Sequence, residues 1–352
     1  MTATAAQFRP IGRHLRHAWG GPVGSGCIRV TPEDFQVFEV PLVTPCGEGE
    51  HCWLLVRKRD SNTQWVASQL AKFAGVPVSA VSYAGLKDRH AVTEQWFSVQ
   101  LPGQTGPDWR TLQHADFQVL LASRHLRKLK TGALLGNRFQ LRIRSVTADG
   151  DRLQERLQRV AGGGFPNYFG EQRFGLQDSN LDQAARLFQQ PRRRVPHAKH
   201  GLYLSAVRSA LFNRVLAARV AAGSWNQAIP GDALQLAGKS ACFVADATDS
   251  ETQQRLAALE LHPTGPLCGA GEPLCRGAAL AFEAEQLRGC EDWIDGLRRA
   301  RLAVARRALR VIPRDLRWTA AADGSWGLEF CLPAGSYATS LLGEILAVGP
   351  VP

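Results

Sequence analysis

The chain has 352 residues, with 42 Lys and Arg against 31 Asp and Glu and a formal charge of +11, which points to a polyanionic partner, either nucleic acid or an acidic membrane surface. Only 7 of the basic residues are Lys, and arginine suits bidentate phosphate contacts and stacking on bases. No run approaches the roughly 18 consecutive apolar residues of a membrane span, the N-terminus lacks a basic stretch followed by an apolar one, and the 8 cysteines include no Cys-x-x-Cys pair, so a soluble cytoplasmic protein with reduced thiols and no metal or disulfide framework is expected.

The first 25 residues read as an irregular lead-in, with glycines around Pro22. Residues 27–30 read as a strand, and 35–40 alternate as another. A turn at 45–49 precedes a third strand over 51–59. Asn62 or Thr63 can cap a helix carrying Trp65, Val66, Leu70 and Phe73 at helical spacing, closed by Gly75 and Pro77. An apolar run over 76–83 meets a polar cluster, Gly85-Leu86-Lys87-Asp88-Arg89-His90, and a strand follows over 95–101. Residues 117–121 are strand-like, and 124–130 are basic. Gly136-Asn137 punctuates the chain before 138–144, which places Phe139, Leu141 and Ile143 on one face.

Residues 151–160 read as a charged helix, and Gly162-Gly163-Gly164 as a flexible joint and domain boundary. Beyond it come a glycine-rich aromatic run (167–175), a helix (181–190), the basic run Arg192-Arg193-Arg194 and a long helix (204–219). A strand-rich patch begins at Gly231, and 283–309 read as mostly helical, with arginines at 298, 299, 301, 306, 307 and 310. Strands over 316–318 and 328–332 and a last helix from about Ser340 complete the chain. Strand-rich ends flanking a helix-rich middle suggest one catalytic sheet with a second domain inserted into it.

The 82–95 run is the candidate for the chemistry. A carboxylate among Lys87, Arg89 and His90 is favoured in its ionised form, and a polar loop held by rigid strands is a common place for catalytic groups. Its plainer reading is a solvated turn of alternating charge. Likewise Phe35 and Phe139 look like core residues by pattern, Asn137 like a turn residue before a strand, and Arg29 like a surface or sheet-edge charge.

Five segments, in order, resemble the TruD family of tRNA pseudouridine synthases: Pro32-Glu33-Asp34-Phe35; Gly85-x-Lys87-Asp88-x-x-Ala91-x-Thr93-x-Gln95; Lys130-x-Gly132-x-Leu134-x-Gly136-Asn137-x-Phe139; Asn167-Tyr168-Phe169-Gly170-x-Gln172-Arg173-Phe174-Gly175; and Leu332 through Ser340. The resemblance implies an α+β fold: a pseudouridine-synthase core on a mixed, largely antiparallel sheet, over 1–162 and 312–352, interrupted by an inserted α/β domain over 163–311. It implies isomerisation of uridine to pseudouridine at position 13 in the D-arm of tRNA, without metal or cofactor. Asp88 would act as nucleophile or as base at the sugar, with Arg29 or Lys87 as its ion-pair partner. Phe35, Asn137 and Tyr337 would touch the substrate, with Phe139 against the active site. Tyr337 stands where relatives often have Phe, so its hydroxyl needs a partner if buried. Arg173 could hold a phosphate, or its run could be a packed hinge. A monomer is expected, since a large RNA must enter between the domains. The competing readings are a non-catalytic RNA-binding protein or RNA chaperone on the same fold, and a metal-dependent nucleic-acid hydrolase, for which no clustered ligand set is visible in the sequence.

Overall fold

Apolar residues that alternate with polar ones bury one face of a strand, and four such runs become neighbours in one sheet. The computed structural model describes residues 15–190 and 194–349, so Arg192 and Arg193 of the second basic run lie outside the described residues. β1 (Ser25–Cys27) is followed by β2 (Phe35–Pro41), β3 (His51–Arg59), α1 (Thr63–Ala74), β4 (Val81–Tyr83), β5 (Val92–Gln100), β6 (Phe117–His125) and β7 (Leu134–Ile143). The chain then leaves the sheet through α2 (Gly150–Gly163), β8 (Phe165–Pro166), α3 (Ser179–Gln189), α4 (His197–Ala221), β9 (Ala233–Leu236), β10 (Cys242–Val244), α5 (Ser250–Ala257), β11 (Leu261–Leu267), α6 (Gly277–Gln286), α7 (Glu291–Arg299), β12 (Ala305–Ala308) and β13 (Arg310–Val311). It returns with β14 (Arg314–Ala320), β15 (Trp326–Pro333), α8 (Ala338–Ile345) and β16 (Ala347–Gly349).

The main sheet runs β14-β15-β7-β2-β5-β3-β6, with β4 also on β5. Within it only β2 and β5 pair in parallel, so the sheet is mixed and largely antiparallel, and the α+β class holds. α1 lays Val66, Ala67 and Leu70 on Leu54, Val56, Phe97 and Val99. Each large apolar side chain so buried contributes about 1.5–3 kcal/mol. The left-handed Gly75 closes α1.

Chain contacts separate two compact units. One holds residues 23–150, 313–335 and 346–349, and contains the main sheet. The other holds 15–22, 151–190, 194–312 and 336–345; in it α3, α4 and α7 enclose a core that includes Leu187, Leu211, Phe212, Trp293 and Leu297, beside the sheet β10-β9-β11-β12. The division falls before α2, not after Gly162, because α2 is tied into the second unit. Trp19 donates its indole N–H to Gly164 O at 2.9 Å, and Arg156 reaches Glu344 O at 2.6 Å. The glycine run is therefore packed, not a flexible joint: α2 continues through Gly163, and a Cβ on Gly164 (φ +77) would collide with Val311 O. Residues 283–309 are not one helix, since they break at Gly289 and end in β12. Among the described residues, no helix is long and apolar enough to cross a membrane.

Candidate active site

The loop between β4 and β5 is fastened from below before its side chains do anything. Thr63, first residue of α1, accepts Lys87 N–H at 3.1 Å and donates to Gln95 Oε1 at 2.8 Å. Gln95 in turn donates to Gly85 O at 3.2 Å. The deepest tie is Lys58. It lies fully buried on β3, and its ammonium donates to Asp88 O at 2.6 Å and to Ser61 O at 2.7 Å. Burial lowers the Lys58 pKa to about 8; Asp88 pulls against that shift, and Lys87 adds to it.

These ties leave the Asp88 carboxylate one-third exposed, with Arg29 Nη2 3.3 Å away. The ion pair implied by the resemblance is thus present. Lys87 is not the partner: its Nζ meets Glu39 Oε2 at 2.8 Å, with both side chains buried. They meet as charges, not through an aligned hydrogen bond, since that oxygen has no hydrogen-bond partner. The other Glu39 oxygen accepts Trp96 N–H at 3.2 Å. Arg29 is not in a strand. Its φ of +59° is left-handed, a conformation that disfavours an L-residue by about 1–2 kcal/mol. Its guanidinium lies 3.8 Å over the centre of the Phe35 ring, so one side chain covers the aromatic face and meets the carboxylate. Asp34, buried just before Phe35, takes Arg144 in a two-pronged bond at 2.9 and 2.8 Å, which fixes the start of β2.

Register explains the rest. Val37 pairs with Phe139 and Glu39 with Asn137 across β2 and β7. Phe139 pairs with Phe330, and Asn137 with Leu332, across β7 and β15. These residues therefore share one face of the sheet. Phe35 and Phe139 are only 1% and 5% exposed. They meet edge to face at 6.3 Å, and Phe139 stacks on Phe330 at 5.2 Å. Asn137 lies inside β7, not at a turn. The glycine before it answers to the neighbouring strand, because a Cβ there would collide with Leu332 O. Asn137 Oδ1 is buried and receives no hydrogen bond within the protein.

Tyr337 and Arg173 belong to the other unit. There Arg173 Nε donates to the Tyr337 hydroxyl at 3.1 Å, which supplies the partner that a half-buried phenol needs. Gly170 leaves room for that ring, 3.1 Å from where its Cβ would be. The first half of the 167–175 run is structural: Asn213 bonds both N–H and C=O of Phe169 at 2.9 Å, and Asn167 donates to Ala308 O at 2.8 Å.

Sequence reasoning missed Lys58 and Glu39. Their only signal is a charge in phase with apolar neighbours: Cys52, Leu54 and Val56 precede Lys58, and Phe35 and Val37 precede Glu39. The basic run at 298–310 divides. Arg306 pairs with Glu283 at 2.7 Å inside the protein, and buried Arg310 donates to Leu261 O at 2.9 Å, whereas Arg299 and Arg301 are exposed. A cleft of about 790 Å³ is lined by Gln36, Phe38, Arg57, Arg59 and Gln140, on the face of the sheet opposite Phe35 and Phe139. Among the described residues no three His, Cys, Asp or Glu side chains are grouped as a metal site needs.

A family model for tRNA pseudouridine synthase D (TruD) matches residues 16–187 and 179–345. The chain is 49% identical to a tRNA pseudouridine synthase D of Methylococcus capsulatus, over 96% of this chain and 95% of that one. It is 46% identical to one of Nitrosococcus oceani, over 94% and 93%. Its fold is similar to the crystal structure of a candidate tRNA pseudouridine synthase D from Methanosarcina mazei, with a TM-score of 0.71 and 22% identity over 96% of this chain and 97% of that one.

Proposed function

The chain belongs to the tRNA pseudouridine synthase D family, and we propose that it isomerises uridine to pseudouridine in tRNA, at position 13 of the D-arm, as a cytoplasmic monomer. The observation that carries this reading is the Asp88 carboxylate, set beside Arg29 at 3.3 Å and anchored through its own carbonyl by Lys58 at 2.6 Å.

The reaction breaks the N1–C1′ bond, turns the uracil, forms C5–C1′, and releases the C5 proton while N1 gains one. It is redox-neutral and needs no cofactor. A base inside a helix is out of reach, so the target nucleotide is flipped out. Asp88 works at the sugar, as nucleophile at C1′ or as base at the ribose, with Arg29 as its counter-charge. Asn137 Oδ1, buried without a protein donor, offers an acceptor to the N3–H of uracil. Phe35 and Phe139 form the floor under Arg29, and Tyr337 offers an aromatic face to an unstacked base, an interaction worth about 1–3 kcal/mol.

Tritium release from tRNA labelled at C5 of uridine tests this. Wild type releases tritium and Asp88→Asn does not, and mapping the product locates position 13. A primary isotope effect with uridine deuterated at C2′ marks Asp88 as base; its absence marks the nucleophile. Tight tRNA binding with no release from wild type would return the non-catalytic RNA-binding reading. Light scattering checks the monomer.

A further inference from the structure

Four arginines on the strands of the main sheet are matched by carboxylates. Arg57 meets Glu94, Arg59 meets Glu33 and Arg142 meets Asp323 at 2.6 Å, and Arg138 meets Glu329 at 2.9 Å. The segment joining β6 to β7, residues 126–133, carries its cations otherwise. Arg127, Lys128 and Lys130 are exposed, and no Asp or Glu among the described residues pairs with any of the three. Unmatched positive charges so close together in the chain raise the local potential, which draws a polyanion.

The segment is nevertheless fixed. Between its cations, Leu129 is 2% exposed and packs with Trp53, Ala84 and Trp96. Trp53 donates its indole N–H to Arg127 O at 2.9 Å, and the Leu129 N–H donates to Ser98 Oγ at 2.9 Å. A tight turn closes the far end: the Ala133 N–H donates to Lys130 O at 3.0 Å, with Gly132 left-handed at φ +84°. A backbone already ordered has less freedom to lose when a ligand arrives. The same turn borders the candidate site. The Gly132 N–H donates to Ala84 O at 2.7 Å, and Ala84 stands four residues before Asp88, a stretch of chain that spans at most about 14 Å.

We propose that residues 126–133 form a phosphate-binding rail, on which Arg127, Lys128 and Lys130 hold the backbone of the RNA strand that carries the target uridine. That the polyanion is RNA rests on the isomerase reading above. Lysine acts on a phosphate as a point charge, and phosphate contacts set register and orientation without reading sequence. The rail therefore positions the strand against the Asp88 loop and leaves recognition of the base to other groups.

The test measures the affinity of the full chain for tRNA against salt. Each phosphate neutralised contributes roughly 0.7–0.9 to the slope of log K on log salt. Lys130→Gln is expected to reduce the slope by about that amount, and the triple variant Arg127→Gln, Lys128→Gln, Lys130→Gln by roughly 2–3. Melting temperatures should stay as in wild type, because all three side chains are exposed. Arg110→Gln, which removes a side chain 90% exposed and paired with Asp108, is expected to keep the wild-type slope. The second probe is tRNA with uncharged methylphosphonates flanking the target uridine. It should bind wild type with a smaller slope, and the triple variant should lose little more from that change. A wild-type slope in the triple variant refutes the rail. So does an equal loss in Lys130→Gln and Arg110→Gln, which would make the effect one of net charge alone. Additive losses from the triple variant and the methylphosphonates would overturn the placement beside Asp88. If the triple variant loses binding to phosphatidylserine vesicles while its tRNA slope is that of wild type, the RNA assignment falls in favour of a membrane surface. Binding is read without turnover, so a wild type that releases no tritium but shows these slopes counts against the isomerase and leaves the rail standing.

Discussion

Lys58→Met isolates a buried cation that grips the β4–β5 loop by its backbone. Methionine fills a similar volume without charge, so the fold is perturbed little. The Lys58 pKa falls from 10.5 to about 8, so the charged form is disfavoured by about 3 kcal/mol. Removing the charge relieves that burden. Against it stand the Asp88 and Ser61 carbonyls, left without their donor at about 1–3 kcal/mol each. The two effects oppose each other, and global stability in urea should change by about 3 kcal/mol or less. Turnover has no such compensation. Asp88 loses the bond that fixes its main chain, and a misplacement of about 1 Å lowers a rate by about 100-fold. The expected result is a kcat reduced by about 100-fold under conditions where the variant is still fully folded. The pH dependence separates the roles further. Below pH 8 both folded and unfolded chains hold the Lys58 proton; between about 8 and 10.5 only the unfolded chain does, so Lys58 contributes a rise in stability with pH across that window. Wild-type turnover should fall over the same window, as the grip on the Asp88 carbonyl loses its charge. Lys58→Met should show neither trend. A variant with kcat within threefold of wild type would refute the role given to Lys58.

Two further substitutions probe the floor of the site. Glu39→Gln strips the buried Lys87 of its counter-charge and should reduce stability by about 3 kcal/mol. Adding Lys87→Met should recover most of that loss in urea denaturation, and a double variant no more stable than the single one would show that the pair is not coupled. Phe139→Ala empties a position that is 5% exposed between Phe35 and Phe330 and should destabilise by about 3–5 kcal/mol; an unchanged melting temperature with lost turnover would instead mean that the ring acts on the substrate.

Much of the sheet was legible because β2 and β7 repeat with period two and a turn marks the start of β3, and α1 because its apolar stripe ends at a left-handed glycine. The failures share a physical cause, namely local signals overridden by packing. Cys27-Ile28-Arg29-Val30 has strand propensity, yet Arg29 is turned left-handed to reach Phe35 and Asp88. Gly136-Asn137 is a turn signal on its own, but the glycine answers to the Leu332 carbonyl of the adjacent strand. The 298–310 arginines hid β12 and β13, because charged residues whose partners are Glu283 and His262 do not register as a buried period-two pattern. In the candidate site, Asp88 and Arg29 came from the resemblance. Lys58 and Glu39 escaped because a buried ion on an apolar strand face is rare, so its phase alone did not mark it.

The pairing of β7 with β15 also sets a schedule for synthesis. When Ile143 leaves the ribosome, the strand that will lie beside it is still about 180 codons away. At roughly 5–20 residues per second the edge of β7, with Phe139, Leu141 and Ile143, waits on the order of 10–40 seconds for its neighbour. A nascent chain in that interval carries an open, apolar strand edge of the kind that invites association with other chains. Most of the other unit, residues 151–312, emerges during the wait, while its α8 follows β15. The unit that holds the main sheet thus stays open until β15 arrives, and translation that stalls within 151–312 would leave it exposed to aggregation or to chaperone capture.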